Sequence, residues 1–375
     1  MFFLDKRIIS RFDYLMMFFI FLLLFFSNNL VGEISEMLAN KQLIYFAFGI
    51  LVFLIIFIIP FRRIVRVVPF VYWFGILLLL LVDLVGVSKL GAQRWIEIPG
   101  IGLSLQPSEL IKPAYYLMLG YLISKNPPPR DGYNLKSFTY LSIYILLPFF
   151  LIAKEPDLGT AIVILLTGYG VLFIAGVNWK IWASIVVIIG ISSPIIYTNF
   201  IKDYQKKRIT DFISEEPSYH VQQSIIAIGS GGVFGKSADE ATQGQLKFLP
   251  IATSDFIFAY VCERHGFFGA IVLIGIYVLL IFQILSANFY YQDDYLLKSF
   301  ANGVGLLIFI SMAVNILMVI GFAPVVGIPL PMFSYGGSSF LNFLVLIAIL
   351  QHLVAFKFQN MYKYERQIKE DFTRI

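Results

Sequence analysis

Residues 43–59 read LIYFAFGILVFLIIFII, seventeen residues without a charge. With its flanks, such a run makes a helix of ~20 residues and ~30 Å, enough to cross a bilayer. It is apolar on every face, so it is not the amphipathic helix of a soluble surface. Nor does it alternate apolar and polar residues as a barrel strand would. Similar runs recur along the 375 residues, 59% of which are apolar and only 14% charged. Mean hydropathy is +0.81. Length alone would suggest two soluble domains; composition overrides it.

The chain is therefore read as one all-α, polytopic integral membrane domain over residues 1–375, with ten crossings. They are expected at about 14–30, 42–60, 67–87, 108–124, 138–153, 159–177, 181–200, 254–284, 299–322 and 334–356. The first is followed by SNNLVGEIS, without a small-residue cleavage site, and is read as a retained span rather than a signal peptide. With a cytoplasmic N-terminus the inner segments carry sixteen Lys and Arg, and the short outer segments four: Lys41, Lys89, Arg94 and Lys154. Both termini are thus expected inside. The net charge of +5 belongs to membrane-facing loops and forms no aromatic-interleaved patch, so nucleic acid is excluded as a partner. The single Cys262 excludes an intrachain disulfide and reads as a small buried apolar residue.

One connection is long, residues 201–253, an extracytoplasmic loop between the seventh and eighth spans. Three other segments with unusual polar, Gly or Pro content, 88–107, 153–159 and 322–339, fall on the same outer face. The long loop contains GSGGVFGKS at 229–237, one glycine short of a phosphate-binding P-loop. A P-loop follows a buried strand and works where ATP is available. This stretch is outside, in a chain expected to have no strands, and Phe234 stands where a dinucleotide fingerprint needs glycine. It is not a nucleotide site.

Ionisable residues in or beside spans cost ~2.5–3.5 kcal/mol each and need a reason. Glu109 and Lys112 lie three apart on one helix face and form either a structural ion pair or part of a site. Asp157 in EPDLGT and Asp255 in TSDFIFAY each begin a span, as caps or as functional carboxylates. Glu263, eight residues beyond Asp255, is ~12 Å away along a helix, too far for a carboxylate dyad. The glycines of SYGGSS permit either close approach to an anionic ligand or tight helix packing. His220 and His265 are isolated, and no spacing suggests a zinc site. Two classes survive: an enzyme working on a lipid-bearing substrate at the outer surface, and a transporter or flippase. Transporters set their charges at the midplane between repeats. No repeat is evident here and the unusual residues gather at one face, which favours the enzyme.

Eight motifs occur in order: GAQRWI (91–96), LQPSELIK (105–112), EPDLGT (155–160), YHVQQSIIAIGSGGVFGK (219–236), GQLKFLP (244–250), DFIFA (255–259), PVVGIPLP (324–331) and SYGGSS (334–339). Together they resemble the SEDS family (shape, elongation, division and sporulation). The glutamine of GAQRW, the GSGG-x-x-GK loop and the tyrosine of SYGGSS point to its rod-shape branch. The resemblance implies a peptidoglycan glycosyltransferase of the bacterial cytoplasmic membrane, active during elongation. It would polymerise lipid II, an undecaprenyl-pyrophosphate-linked disaccharide-pentapeptide, into β-1,4 glycan. The alternative is a lipid II flippase.

By the same resemblance Asp255 would be the general base of an inverting transfer. The cavity and substrate-binding residues would be Arg94, Gln106, Glu109, Lys112, Asp157, Arg208, Lys236, Gln245, Glu263, Ser334, Gly336, Gly337 and Ser338. A divalent cation, Mg2+ or Mn2+, could assist the leaving pyrophosphate, and the polyprenyl tail would lie in apolar grooves between spans. Expected partners are membrane lipids, a class B penicillin-binding protein and an elongation complex with actin-like filaments. The chain departs from the family in lacking a Glu after FLP, where it has Ile251. It also has Arg264 where the family tends to have a second Glu.

Overall fold

The computed structural model describes residues 6–59, 65–89, 92–97, 104–155, 157–199, 203–214, 218–241, 244 and 252–357. Among the described residues, ten long helices fall where ten crossings are expected. They are α1 (Tyr14–Ile34), α2 (Glu36–Ile58), α3 (Val68–Val85), α4 (Pro107–Lys125), α5 (Leu135–Lys154), α6 (Leu158–Ala175) and α7 (Trp179–Asn199), then α10 (Ile257–Leu285), α11 (Tyr295–Val319) and α12 (Gly337–Ala355). Two further helices, α8 (Asp203–Ile213) and α9 (Tyr219–Gly231), lie within the long outer loop. Among the described residues, eight helices are long and apolar enough to span a membrane. Of the other two, α7 has a shorter apolar stretch, and α4 carries Glu109, Lys112 and Lys125.

Local sequence explains the starts. Asp13, Asn134, Asp157 and Asp294 each accept a backbone N–H from the first turn of α1, α5, α6 and α11, satisfying one orphan donor. Pro107 opens α4, where its missing N–H costs nothing. Neither Ser254 nor Asp255 caps α10: Phe256 is the N-cap, without a side-chain bond. The cap reading of Asp255 is thus corrected, and its carboxylate is left for other work.

The expectation of no strands is also corrected. Three short strands, β1 (Val87–Lys89), β2 (Ala92–Glu97) and β3 (Ser104–Leu105), make an antiparallel sheet in the order β1-β2-β3. The segment is too short and too rich in Gly and Pro for a helix, and pairing satisfies backbone groups outside the bilayer. It carries Arg94 over the mouth of the helix bundle.

Buried in the middle, α11 packs against α4, α6, α10 and α12, while α12 packs on α2. The outer ends of α4, α6, α10, α11 and α12 therefore converge, and the unusual residues meet there.

Helix α10 is broken. Gly266 has φ 61°, ψ −159°, which separates a half-helix, 257–265, from the remaining 267–285. GSGGVFGKS fills the break. The N–H groups of Phe267 and Phe268 donate to the carbonyls of Gly232 and Val233, and the N–H of Lys236 donates to Glu263 O. A Cβ on Gly235 would sit 2.3 Å from Arg264 O, and one on Gly266 would sit 2.4 Å from Gly235 N. The glycines are there because two backbones touch.

Candidate functional site

The turn 252–256 precedes the half-helix and presents Asp255, whose Oδ2 lies 3.5 Å from where a Cβ on Gly327 would stand. Burial raises the Asp255 carboxyl above its ordinary value, opposed by a hydrogen bond from Ser254. Three residues hold the turn. Asn315 of α11, fully buried, donates its one amide nitrogen to Asp255 O and to Ile328 O, both at 2.8 Å. Ser334 donates to Ser254 O at 2.6 Å, and Tyr335 N donates to Thr253 O at 2.8 Å. The loop 328–335 is itself pinned by Tyr277 to Pro331 O and by Ser27 to Phe333 O. Between those anchors Met332 takes φ 59°, a strained conformation for a residue with a side chain.

A second group lies behind Gly327. Lys112 bonds Glu109 at 2.5 Å, and Asn342 of α12 donates to the other Glu109 oxygen at 3.2 Å. This buried pair faces Thr160, Ser311, Gly327 and Pro329 across a small cavity. A third group stands at the rim. Arg94 of β2 pairs with Asp157 at 3.6 Å and donates to Glu155 O, while Gln106 donates to the other Asp157 oxygen at 3.2 Å. Asp157 thus serves both as the α6 cap and as the partner of Arg94.

From Gln106 and Glu109 a cavity of about 350 Å³ runs between α3, α4 and α12. Its floor is apolar, with Leu110, Leu117, Leu341 and Val345, and its polar end includes Ser338 and Asn342. The arrangement joins a partly buried carboxylate, a charge-paired polar chamber and a greasy slot.

The remaining sequence candidates divide. Ser334 and Ser338 are at the site. Gly337 backs onto the Tyr45 ring and is a packing residue, whereas a Cβ on Gly336 would meet open space. Glu263 and Lys236 sit at the far end of the half-helix: Glu263 accepts from Gly244 N, and Lys236 contributes backbone. They are not beside Asp255. Arg208 lines a separate outer cavity of about 130 Å³ with Asp211, Pro324 and Val325. Gln245 lies outside the described residues. Sequence reasoning missed Asn315, a lone amide in an apolar helix, whose cost of burial was the available signal. His220, read as isolated, stacks on Phe256 beside Asp255, ring centroids 6.1 Å apart.

Residues 4–359 match the FtsW/RodA/SpoVE family, described as a cell cycle protein. The chain belongs to this family. Family members similar to it include the peptidoglycan glycosyltransferase MrdB of Helicobacter pylori strain J99, 53% identical over 95% of this chain and 93% of the relative. MrdB of Escherichia coli K12 is 39% identical over 78% and 79%. Among solved structures, RodA of Thermus thermophilus superposes with TM-score 0.69 at 23% identity, covering 92% of this chain and 97% of that one. A chain described under polymerization and crosslinking by a peptidoglycan synthase complex reaches TM-score 0.80 at 24% identity, over 91% and 97%. At such identities the superpositions speak for the fold, a multi-pass membrane bundle of this family.

Proposed function

We propose that this chain is a peptidoglycan glycosyltransferase that polymerises lipid II at the outer face of the cytoplasmic membrane, with Asp255 as general base. The observation that carries the reading is the placement of Asp255: a partly buried carboxylate that caps no helix, beside the Gly327 that lines the polar chamber. Its raised pKa suits it to take a proton from a sugar hydroxyl. The 4-hydroxyl of the acceptor sugar attacks the donor anomeric carbon, its proton passes to Asp255, and undecaprenyl pyrophosphate leaves from the opposite face. One displacement inverts α to β, so no second nucleophilic carboxylate is required.

The donor's polyprenyl tail would occupy the apolar cavity between α3, α4 and α12, which ends in polar groups beside Glu109. The pyrophosphate would then lie near Lys112 and Arg94, each already oriented by a carboxylate and able to stabilise developing charge. Among the described residues no group of three or more His, Cys, Asp or Glu could hold a metal. A divalent cation would therefore enter with the pyrophosphate, whose oxygens would complete a shell that needs at most one or two protein carboxylates. A class B penicillin-binding protein, crosslinking the new strand, is the proposed partner within an elongation complex with actin-like filaments.

The test is polymerisation of lipid II by purified protein, wild type against Asp255→Asn, with and without the class B partner and divalent cations. Polymer from wild type and none from a folded, substrate-binding Asp255→Asn variant is expected. Equal polymer from both would remove Asp255 as base. No polymer from either, under every condition, would replace the reading by lipid II translocation.

A further inference from the structure

The half-helix 257–265 begins two residues after Asp255, and the break at Gly266 means that the membrane-embedded part of α10 does not fix its direction. Across the break the two parts are joined through the backbone of the glycine loop, and side-chain anchors add to that joint. At the Asp255 end, Asn315, Ser334 and Tyr335 hold the backbone. At the other end one side chain gathers three parts of the molecule. Arg264 makes a two-pronged pair with Glu33 at the outer end of α1, Nε–Oε2 2.5 Å and Nη2–Oε1 2.8 Å. Its remaining nitrogen donates to Lys236 O in the glycine loop. Tyr260, one turn back on the half-helix, donates to the same Glu33 carboxylate at 3.0 Å. Glu33 therefore receives two residues of the half-helix at once, across 227 and 231 positions of sequence.

The side chains are only 13% and 27% exposed, and the fork geometry is the one in which arginine fixes direction as well as distance. A single contact would leave the half-helix free to rotate; a forked pair plus a tyrosine one turn away does not. Glu33 is the carboxylate that a largely buried Arg264 needs as its partner.

We propose that Glu33 and Arg264 are positioning residues for the transfer: their ion pair orients the half-helix and so sets the place of Asp255, about 13 Å away along the axis. Neither touches substrate. The inference rests on Asp255 acting as base, as proposed above. Loss of the pair displaces the base relative to a bound donor, so turnover falls while donor affinity stays.

The experiment measures kcat and KM on lipid II for the purified full-length chain, for Glu33→Arg, for Arg264→Glu and for the doubly swapped variant. Hydrogen exchange is followed at amides 253–266 in each. Each single reversal should lower kcat by about tenfold or more and leave KM within about twofold, because a small misplacement of a reacting group acts on the chemical step. Exchange across the half-helix should quicken in both. The double swap should regain most of the lost turnover and slow the exchange again. If reversals prevent folding, Arg264→Lys and Glu33→Gln replace them; Arg264→Lys, which keeps the charge and loses the fork, should retain more turnover than Glu33→Gln. Single variants with wild-type kcat overturn the proposal, as does a folded double swap no better than the singles. If the wild type itself makes no polymer, the reaction is at fault, and the exchange measurement alone judges the clamp: unchanged exchange overturns it.

Discussion

Replacing Asn315 by Ala removes the tie between the Asp255 turn and the loop carrying Gly327. Two hydrogen bonds of 2.8 Å are lost, a part-buried one to Asp255 O and a buried one to Ile328 O. Each contributes about 0.5–1.5 kcal/mol net, and carbonyls left unpaired inside the protein add a desolvation penalty of about 1–3 kcal/mol. One term opposes this. Asn315 Oδ1 is buried without a partner among the described residues, and removing it returns on the order of 1 kcal/mol. The balance is a loss of about 1–5 kcal/mol, read as a lower unfolding midpoint in detergent at a fixed scan rate, since membrane proteins often unfold irreversibly. Activity should fall further than stability. A base displaced by ~1 Å costs on the order of 10²-fold in rate, so lipid II polymerisation by the folded variant should fall about a hundredfold with KM little changed. An Asn315→Ala protein with a reduced midpoint and turnover within about twofold of wild type would refute the reasoning, because the tie would then serve the fold alone.

Gly235→Ala forces a Cβ to 2.3 Å from Arg264 O at a φ of 84° and should destabilise the protein strongly, by about 3 kcal/mol or more. Gly229→Ala in α9, with no atom within 4 Å, should be neutral or stabilising, by about 0.5–1 kcal/mol, and unfolding midpoints compare the two. The Asp255 carboxyl is raised in the folded state, so the fold loses stability as pH rises from the unfolded to the folded pKa. Asp255→Asn should therefore unfold at a higher temperature than wild type near pH 7, with the difference closing below the ordinary aspartate value of about 3.9. The acid limb of wild-type kcat/KM should lie above that value and rise with pH.

Much of this architecture is legible in the chain because a bilayer asks so much of a segment. Runs such as 43–59 have one reading, and Pro107, Asp157 and Asp294 mark helix starts through donors that must be satisfied. The pairing of Glu109 with Lys112 follows from their spacing. What escaped depends on distant partners. YVCERHGFFGAIVL at 260–273 reads as an uninterrupted helix, and only the glycine loop packed against it shows that Gly266 breaks it. Arg264 gives no sign of Glu33, 231 residues earlier. Asn315 resembles any polar residue tolerated in a span until its two carbonyls are located. The short strands around Arg94 were hidden because six residues of alternation between glycines are too few to separate from a loop.

The break at Gly266 has a mechanical consequence. The segment 267–285 is about 28 Å long as a helix, close to the hydrocarbon thickness of a bilayer by itself. When local thickness changes, as it does with lipid composition, such a span answers by tilting. In a straight helix that tilt would swing Asp255 with it. Here the non-helical Gly266 lies between that span and Asp255, whose turn is tied to α11 and to the loop after it. Turnover is then expected to vary little between bilayers of different thickness.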